Sequence, residues 1–85
     1  MMSKYDLLNA YLDSQYESRI TLCMEQMEKI IGDQLPPSAY RYVEWWSNSR
    51  TKAHPHSRAW QDTGYRTVNV KDTIFDQKIT FEKIQ

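Results

Sequence analysis

The chain has few of the residues that mark common ligand and metal sites. Its 85 residues include two glycines and one cysteine. Two glycines do not make a glycine-rich loop that cradles phosphate. Cys23 alone excludes a disulfide within the chain and a zinc site built from cysteines. The first six residues have no apolar run of the signal-peptide kind, and no stretch approaches the roughly 20 apolar residues that span a bilayer. We therefore expect a cytoplasmic protein without membrane contact.

The chain also has no net charge, because its 11 basic side chains balance its 11 acidic ones. The balance hides an asymmetry along the chain. Residues 1–34 carry a net charge of −3, whereas residues 41–66 carry +3. The basic central segment is where an anionic partner would be expected to bind.

The first part of the chain predicts the order helix, strand, helix. Apolar residues at helical spacing indicate an amphipathic helix over residues 4–15, with Ser3 as its cap. The alternating, β-branched segment 19–23 predicts a short strand. A second apolar stripe over residues 24–31 predicts another helix, which ends at Gly32.

The middle of the chain predicts a third helix over about residues 37–48. Pro37 suits the first turn of a helix. The predicted inner face carries Ala39, Tyr42, Val43 and Trp46, and the opposite side carries Arg41, Trp45 and Asn48. After a polar, basic loop, Ser57 is placed to cap a short fourth helix that ends at Gly64.

The last part of the chain predicts a β-hairpin. Residues 67–71 and 78–82 alternate between apolar and polar side chains, as strands with one buried face do. The fold class is therefore α+β, with residues 1–85 as a single domain. Without the short fourth helix, the order α-β-α-α-(short α)-β-β is winged-helix-like, by analogy of element order alone.

The chain resembles a family of small, largely uncharacterised bacterial and archaeal domains. The residues that carry the resemblance are Leu35-Pro36-Pro37-Ser38-Ala39, Trp45-Trp46-Ser47-Asn48, His54, Ala59-Trp60, Gly64-Tyr65 and Ile79-Thr80-Phe81. The family is one without an assigned activity. Similar domains attached to nuclease modules make nucleic acid the partner that the resemblance implies. The family tends to have a tryptophan where this chain has Tyr65.

The three tryptophans divide between core and surface in this interpretation. Trp46 shares a helix face with Ala39 and Val43, and Trp60 lies on the short helix, so both are expected in the core. Trp45 points away from that face and is expected to be half-exposed. An exposed indole can stack on a base or anchor a protein interface.

The candidate nucleic-acid contacts lie in and around the third helix. Asn48 is either a helix C-cap or a partner for an adenine edge. Arg41 is either a base-edge contact or a solvated side chain. The remaining candidates are cations that would bind phosphate: Arg50, Lys52, Arg58 and Lys71.

Catalytic and metal sites have little support. Two histidines in a proline-containing loop, His54 and His56, make a poor metal site without further ligands. His54 is expected to make a structural hydrogen bond near the tryptophans. Cys23 is expected to be a small buried hydrophobe, because no oxyanion-hole pattern accompanies it.

The sequence thus predicts a small nonenzymatic domain that binds nucleic acid, with DNA favoured and no cofactor. Contacts would come from helix 37–48 and loop 49–58. Since the net charge is near zero, a monomer would bind weakly and a homodimer would help. The alternative is a protein–protein interaction module or an inhibitor of a larger complex.

Overall fold

A computed structural model describes residues 3–49 and 55–84 of the chain. These residues form an α+β fold, which confirms the predicted class. Helices pack on one face of a three-stranded antiparallel sheet. The helices are α1 (Lys4–Asp13), α2 (Met24–Ile31), α3 (Pro37–Arg41), α4 (Arg58–Gln61) and α5 (Thr73–Asp76); the strands are β1 (Arg19–Cys23), β2 (Tyr65–Val68) and β3 (Lys78–Lys83).

The sheet has the order β1-β3-β2, so the last strand lies in the middle. Glu82 of β3 is opposite Arg19 of β1 on one side and Arg66 of β2 on the other. Side chains of alternate residues point to opposite faces of a sheet. One face therefore carries these charged residues, while the other carries the buried side chains of Ile79 and Phe81.

The core lies between the inner face of the sheet and the helices. It is one continuous cluster, and its apolar members are Leu8, Leu12, Leu22, Met24, Met27, Ile31, Leu35, Ala39, Trp45, Trp46, Ala59, Trp60, Tyr65, Ile79 and Phe81. A small chain gains much of its buried area from such aromatic side chains.

The predicted elements of the first part are confirmed with small changes of boundary. Helix α1 ends two residues earlier than predicted, and the carboxylate of Asp6 accepts a hydrogen bond of 2.8 Å from the Ser3 backbone N–H. Strand β1 and helix α2 have the predicted bounds. Helix α2 ends at Gly32, whose φ of 70° lies in the left-handed region that glycine tolerates. Cys23 is half-buried, and its Sγ accepts from the Gln26 backbone N–H.

The prediction of one helix over residues 37–48 is wrong. Helix α3 stops at Arg41, because Tyr42 adopts extended backbone angles (φ −125°, ψ 121°). A 3₁₀ turn, Val43–Trp46, follows. In a continuous helix Trp45 and Trp46 would point about 100° apart. The break allows both indoles to enter the core side by side.

The predicted C-terminal hairpin is confirmed as an antiparallel pair, but its first strand begins earlier. Strand β2 is Tyr65–Val68 rather than residues 67–71, because Asn69 turns the chain with a φ of 55°. A 3₁₀ turn, Val70–Asp72, and helix α5 complete the β2–β3 connection, residues 69–77. Ser57 holds the N-cap position of α4, but its hydroxyl donates to the carbonyl of Ser49.

Candidate functional site

Trp45 belongs to the core, so the prediction of a half-exposed indole is wrong. Its exposed fraction is 8 %. The ring stacks on His56 with centroids 3.8 Å apart and planes 7° apart, and it meets Trp46 edge-on at 4.6 Å. His56 Nε2 also lies 2.6 Å from the carbonyl oxygen of Trp45. This arrangement leaves Trp45 no free face on which a base could stack.

His56 takes the structural place beside the tryptophans that the sequence interpretation gave to His54. It is 8 % exposed and packs against Tyr5 and Trp60 as well as Trp45. His54 lies outside the described residues. The sequence could not show which of the two histidines would pack there. Both lie in a proline-containing loop, where no helical or strand period predicts the direction of a side chain.

Asn48 is committed to the fold through both ends of its amide. Its Nδ2 donates to the Thr67 carbonyl at 3.0 Å, and its Oδ1 accepts from the Thr67 backbone N–H at 2.9 Å. The same oxygen accepts from the Trp60 indole N–H at 3.0 Å. Asn48 lies beyond the end of α3, so it is not a helix C-cap. Since Oδ1 already accepts these hydrogen bonds, the amide is not free to pair bidentately with an adenine edge.

Trp46 and Trp60 are buried as predicted. The Trp46 indole N–H donates to the carbonyl of Ala39 at 2.8 Å, which ties the 3₁₀ turn back to α3. Trp60 packs against Trp46 and Phe81. The tryptophan-rich segment therefore builds the fold.

Three of the predicted cationic contacts are described, and all three are exposed: Arg41, the candidate base-edge contact, and two candidate phosphate contacts, Arg58 and Lys71. Among residues 3–49 and 55–84, none of the three forms an ion pair. Arg41 ends α3, and Lys71 lies in the β2–β3 connection, which packs beside it. Arg58 begins α4, on the side of α1. Arg50 and Lys52 lie outside the described residues.

Two exposed aromatic side chains accompany Arg41 and Lys71. Tyr42 is 58 % exposed at the break after α3, and Phe75 is 89 % exposed on α5. Helix α3 packs against α5, and the turn Val43–Trp46 packs against the turn Val70–Asp72. We call the surface formed by Arg41, Tyr42, Lys71 and Phe75 the α3–α5 surface.

Tyr42 was predicted on the core side of a long helix, so its position is a correction. Once α3 stops at Arg41, the helical period no longer relates Tyr42 to Ala39, and Trp45 takes the inner position instead. Phe75 lies in a connection longer than a tight turn needs. That length was the signal in the sequence that this connection contains further secondary structure, here a 3₁₀ turn and helix α5.

A second feature is a cleft of about 460 Å³ between α1 and α4. Helix α1 contributes Tyr5, Asp6 and Asn9, while the other wall carries His56, Arg58 and Asp62. Burial raises the pKa of the Tyr5 phenol, with the Asp33 carboxylate contributing and Lys4 opposing. Two carboxylates against one guanidinium do not favour an anionic ligand here.

The remaining tyrosine hydroxyls serve the fold. Tyr40 donates to the Glu28 carboxylate at 2.7 Å, and burial together with that carboxylate raises the pKa of Tyr40 to about 12. Tyr65 donates to the carbonyl of Glu17 at 2.7 Å, and burial raises its pKa. Both phenols stay protonated near neutral pH.

The described part of the chain holds no cluster of three or more His, Cys, Asp or Glu side chains that could bind a metal ion. Nor does it contain a helix with the length and apolar character needed to cross a membrane.

The family model of a domain of unknown function, DUF7662, matches residues 5–84. That match agrees with the expected resemblance to an uncharacterised family. No curated protein and no solved structure matches the chain.

Proposed function

The chain belongs to the DUF7662 family of domains of unknown function, and we propose that it is a nonenzymatic, cytoplasmic nucleic-acid-binding domain. The observation that carries this proposal is the α3–α5 surface. Two exposed aromatic rings lie there on neighbouring elements, with two cations that form no ion pair within residues 3–49 and 55–84. Aromatic rings that stack on bases, beside cations that bind phosphate, are the usual components of such surfaces.

The arrangement of the elements supports the same proposal. If α4 and α5 are set aside, the order α1-β1-α2-α3-β2-β3, with β3 in the middle of the sheet, resembles that of a winged-helix domain by analogy of element order. In that comparison the β2–β3 connection is the wing and lies beside α3. Helix α3 has five residues, so base contacts would come from Tyr42 and Phe75 rather than from a long helix in the groove.

Charge limits the expected strength of binding. The same elements also carry exposed carboxylates on Glu44, Asp72 and Asp76. These acids offset the attraction of Arg41 and Lys71 for phosphate. We therefore expect weak binding that is measurable at low salt, with DNA as the first ligand to test.

The direct test is fluorescence anisotropy with a labelled DNA strand, single-stranded and as a duplex, in 50 mM NaCl. Tyr42→Ala with Phe75→Ala should weaken binding by roughly thirtyfold or more, because each stacked base contributes about 1–3 kcal/mol and two are lost. Tyr16→Ala is the matched control, since Tyr16 is 94 % exposed in the α1–β1 loop. Wild-type protein that binds neither DNA form would contradict the proposal, as would equal losses in the double variant and the control.

The second candidate is a protein–protein interaction module. It is favoured by Phe75, whose ring is almost fully exposed, and by the balanced charge around it. Aromatic side chains of this kind anchor protein interfaces. Light scattering after size-exclusion chromatography distinguishes a protein-interaction module from a nucleic-acid-binding domain. A stoichiometric protein complex that Phe75→Ala dissolves, together with no DNA binding, would replace nucleic acid with a protein partner.

A further inference from the structure

We propose that the solvent face of the sheet binds the phosphate backbone of the same nucleic acid. The polar residues of this outer sheet face are Arg19, Thr21, Arg66, Lys78, Thr80 and Glu82, and Cys23 and Val68 lie on the same side. The inference rests on the proposed function and adds a second contact region to it. No local pattern in the sequence predicts this face, because its cations come from three separate strands.

The central observation is a row of charges that crosses all three strands. Glu82 lies between Arg19 and Arg66, with one carboxylate oxygen 3.7 Å from a guanidinium nitrogen on each side. Both separations exceed hydrogen-bond length, so the guanidinium N–H groups keep donors for another acceptor. Both arginine side chains are more than half exposed.

The charge of the face is positive although the whole chain is neutral. Arg19, Arg66 and Lys78 are opposed by Glu82 alone. Between the charged residues, the hydroxyls of Thr21 and Thr80 lie 2.9 Å apart. A hydroxyl pair can donate to a phosphate oxygen as well as to its neighbour. This combination of arginine, lysine and hydroxyl groups suits phosphate.

The β2–β3 connection links the outer sheet face to the α3–α5 surface along the chain. Lys78 begins β3 directly after the β2–β3 connection that carries Lys71 and Phe75. Along β3, Lys78 and the Glu82 row are four residues apart, or about 14 Å. Cations therefore occur in the connection (Lys71), at the start of β3 (Lys78) and on the strands beside Glu82 (Arg19 and Arg66). A strand whose bases contact the α3–α5 surface can continue along the sheet through its phosphates.

Glu82→Gln gives the sharpest test, because it should increase affinity. Removing the shared carboxylate leaves both arginines free for phosphate, and we expect duplex DNA to bind roughly threefold more tightly in 50 mM NaCl. Glu25→Gln is the matched control: it removes one exposed carboxylate from the Lys29 pair on α2, which does not belong to the outer sheet face. Surface ion pairs contribute little to stability, so both variants should remain folded.

The complementary variant, Arg19→Gln with Arg66→Gln, should weaken DNA binding roughly tenfold. Lys4→Gln with Lys29→Gln removes the same charge from the helices and should have a much smaller effect. If the sheet variants change affinity no more than their charge-matched controls, the sheet proposal is overturned while wild-type binding still supports the proposed function. If the wild-type protein binds no DNA, the proposed function itself fails.

Discussion

Asn48 shows how one side chain can satisfy the free edge of a sheet. Strand β2 lies at the edge, and the backbone N–H and C=O of Thr67 would otherwise lack a strand partner. The Asn48 amide bonds to both, as a neighbouring strand would. The Trp60 indole N–H uses the same oxygen, so one residue joins the loop, α4 and the sheet.

Asn48→Ala should therefore lower the free energy of unfolding by about 2–3 kcal/mol, because it leaves several polar groups without partners. Urea denaturation measures the change. Asn9→Ala is the control, since the single bond from Asn9 to the Ala59 carbonyl is 3.3 Å long and its loss should cost less than about 1 kcal/mol. A variant of Asn48 as stable as the wild type would show that water replaces these bonds.

Tyr40 makes a prediction about pH. In the folded protein its pKa is about 12, whereas an exposed tyrosine ionises near 10. The folded state thus favours the protonated phenol. Its contribution to stability is complete below about pH 10 and is lost as the pH rises toward 12.

The urea midpoint should consequently fall between about pH 10 and 12, and it should fall less in Tyr40→Phe, which has no proton to lose. The buried phenols Tyr5 and Tyr65 remain in that variant and keep part of the dependence. If the urea midpoint fell equally steeply with pH in the wild type and in Tyr40→Phe, then Glu28 and burial would not hold the Tyr40 proton.

At the scale of elements, the sequence predicted correctly those features that depend only on residues close by in the chain. The apolar stripes of α1 and α2, the alternation in β1 and the left-handed Gly32 each depend on neighbours within a few residues. The candidate site depended on the third helix, and there the prediction failed. Whether Trp45 or Tyr42 enters the core is decided by His56 and Tyr5, which lie far away in the sequence.

The turn between α4 and β2 gives an element-scale prediction. Gly64 has a φ of 85°, and no atom lies within 4 Å of where a Cβ would be. Gly64→Ala should then cost only the backbone strain of about 1–2 kcal/mol. Gly64→Asn should cost less, because asparagine tolerates this conformation better. Urea midpoints of the two variants test this, and an alanine variant at least as stable as the asparagine variant would contradict it.

For the whole molecule, the important fact is that its tryptophans share one core. Trp46 and Trp60 are in contact with each other, and Trp45 contacts Trp46. The same cluster includes residues from α1, α2 and all three strands. No element contributes enough buried surface to remain folded alone, so we expect the chain to unfold in a single step.

Tryptophan fluorescence and far-ultraviolet circular dichroism should therefore give the same urea midpoint within error. Fluorescence reports on the aromatic cluster, while circular dichroism reports on the helices and the sheet. The Asn48→Ala variant makes the comparison more demanding. If its amide joins the loop to the sheet within one cooperative unit, both midpoints should fall together. A fluorescence midpoint that falls alone would show that the tryptophan segment unfolds separately from α1, α2 and the sheet.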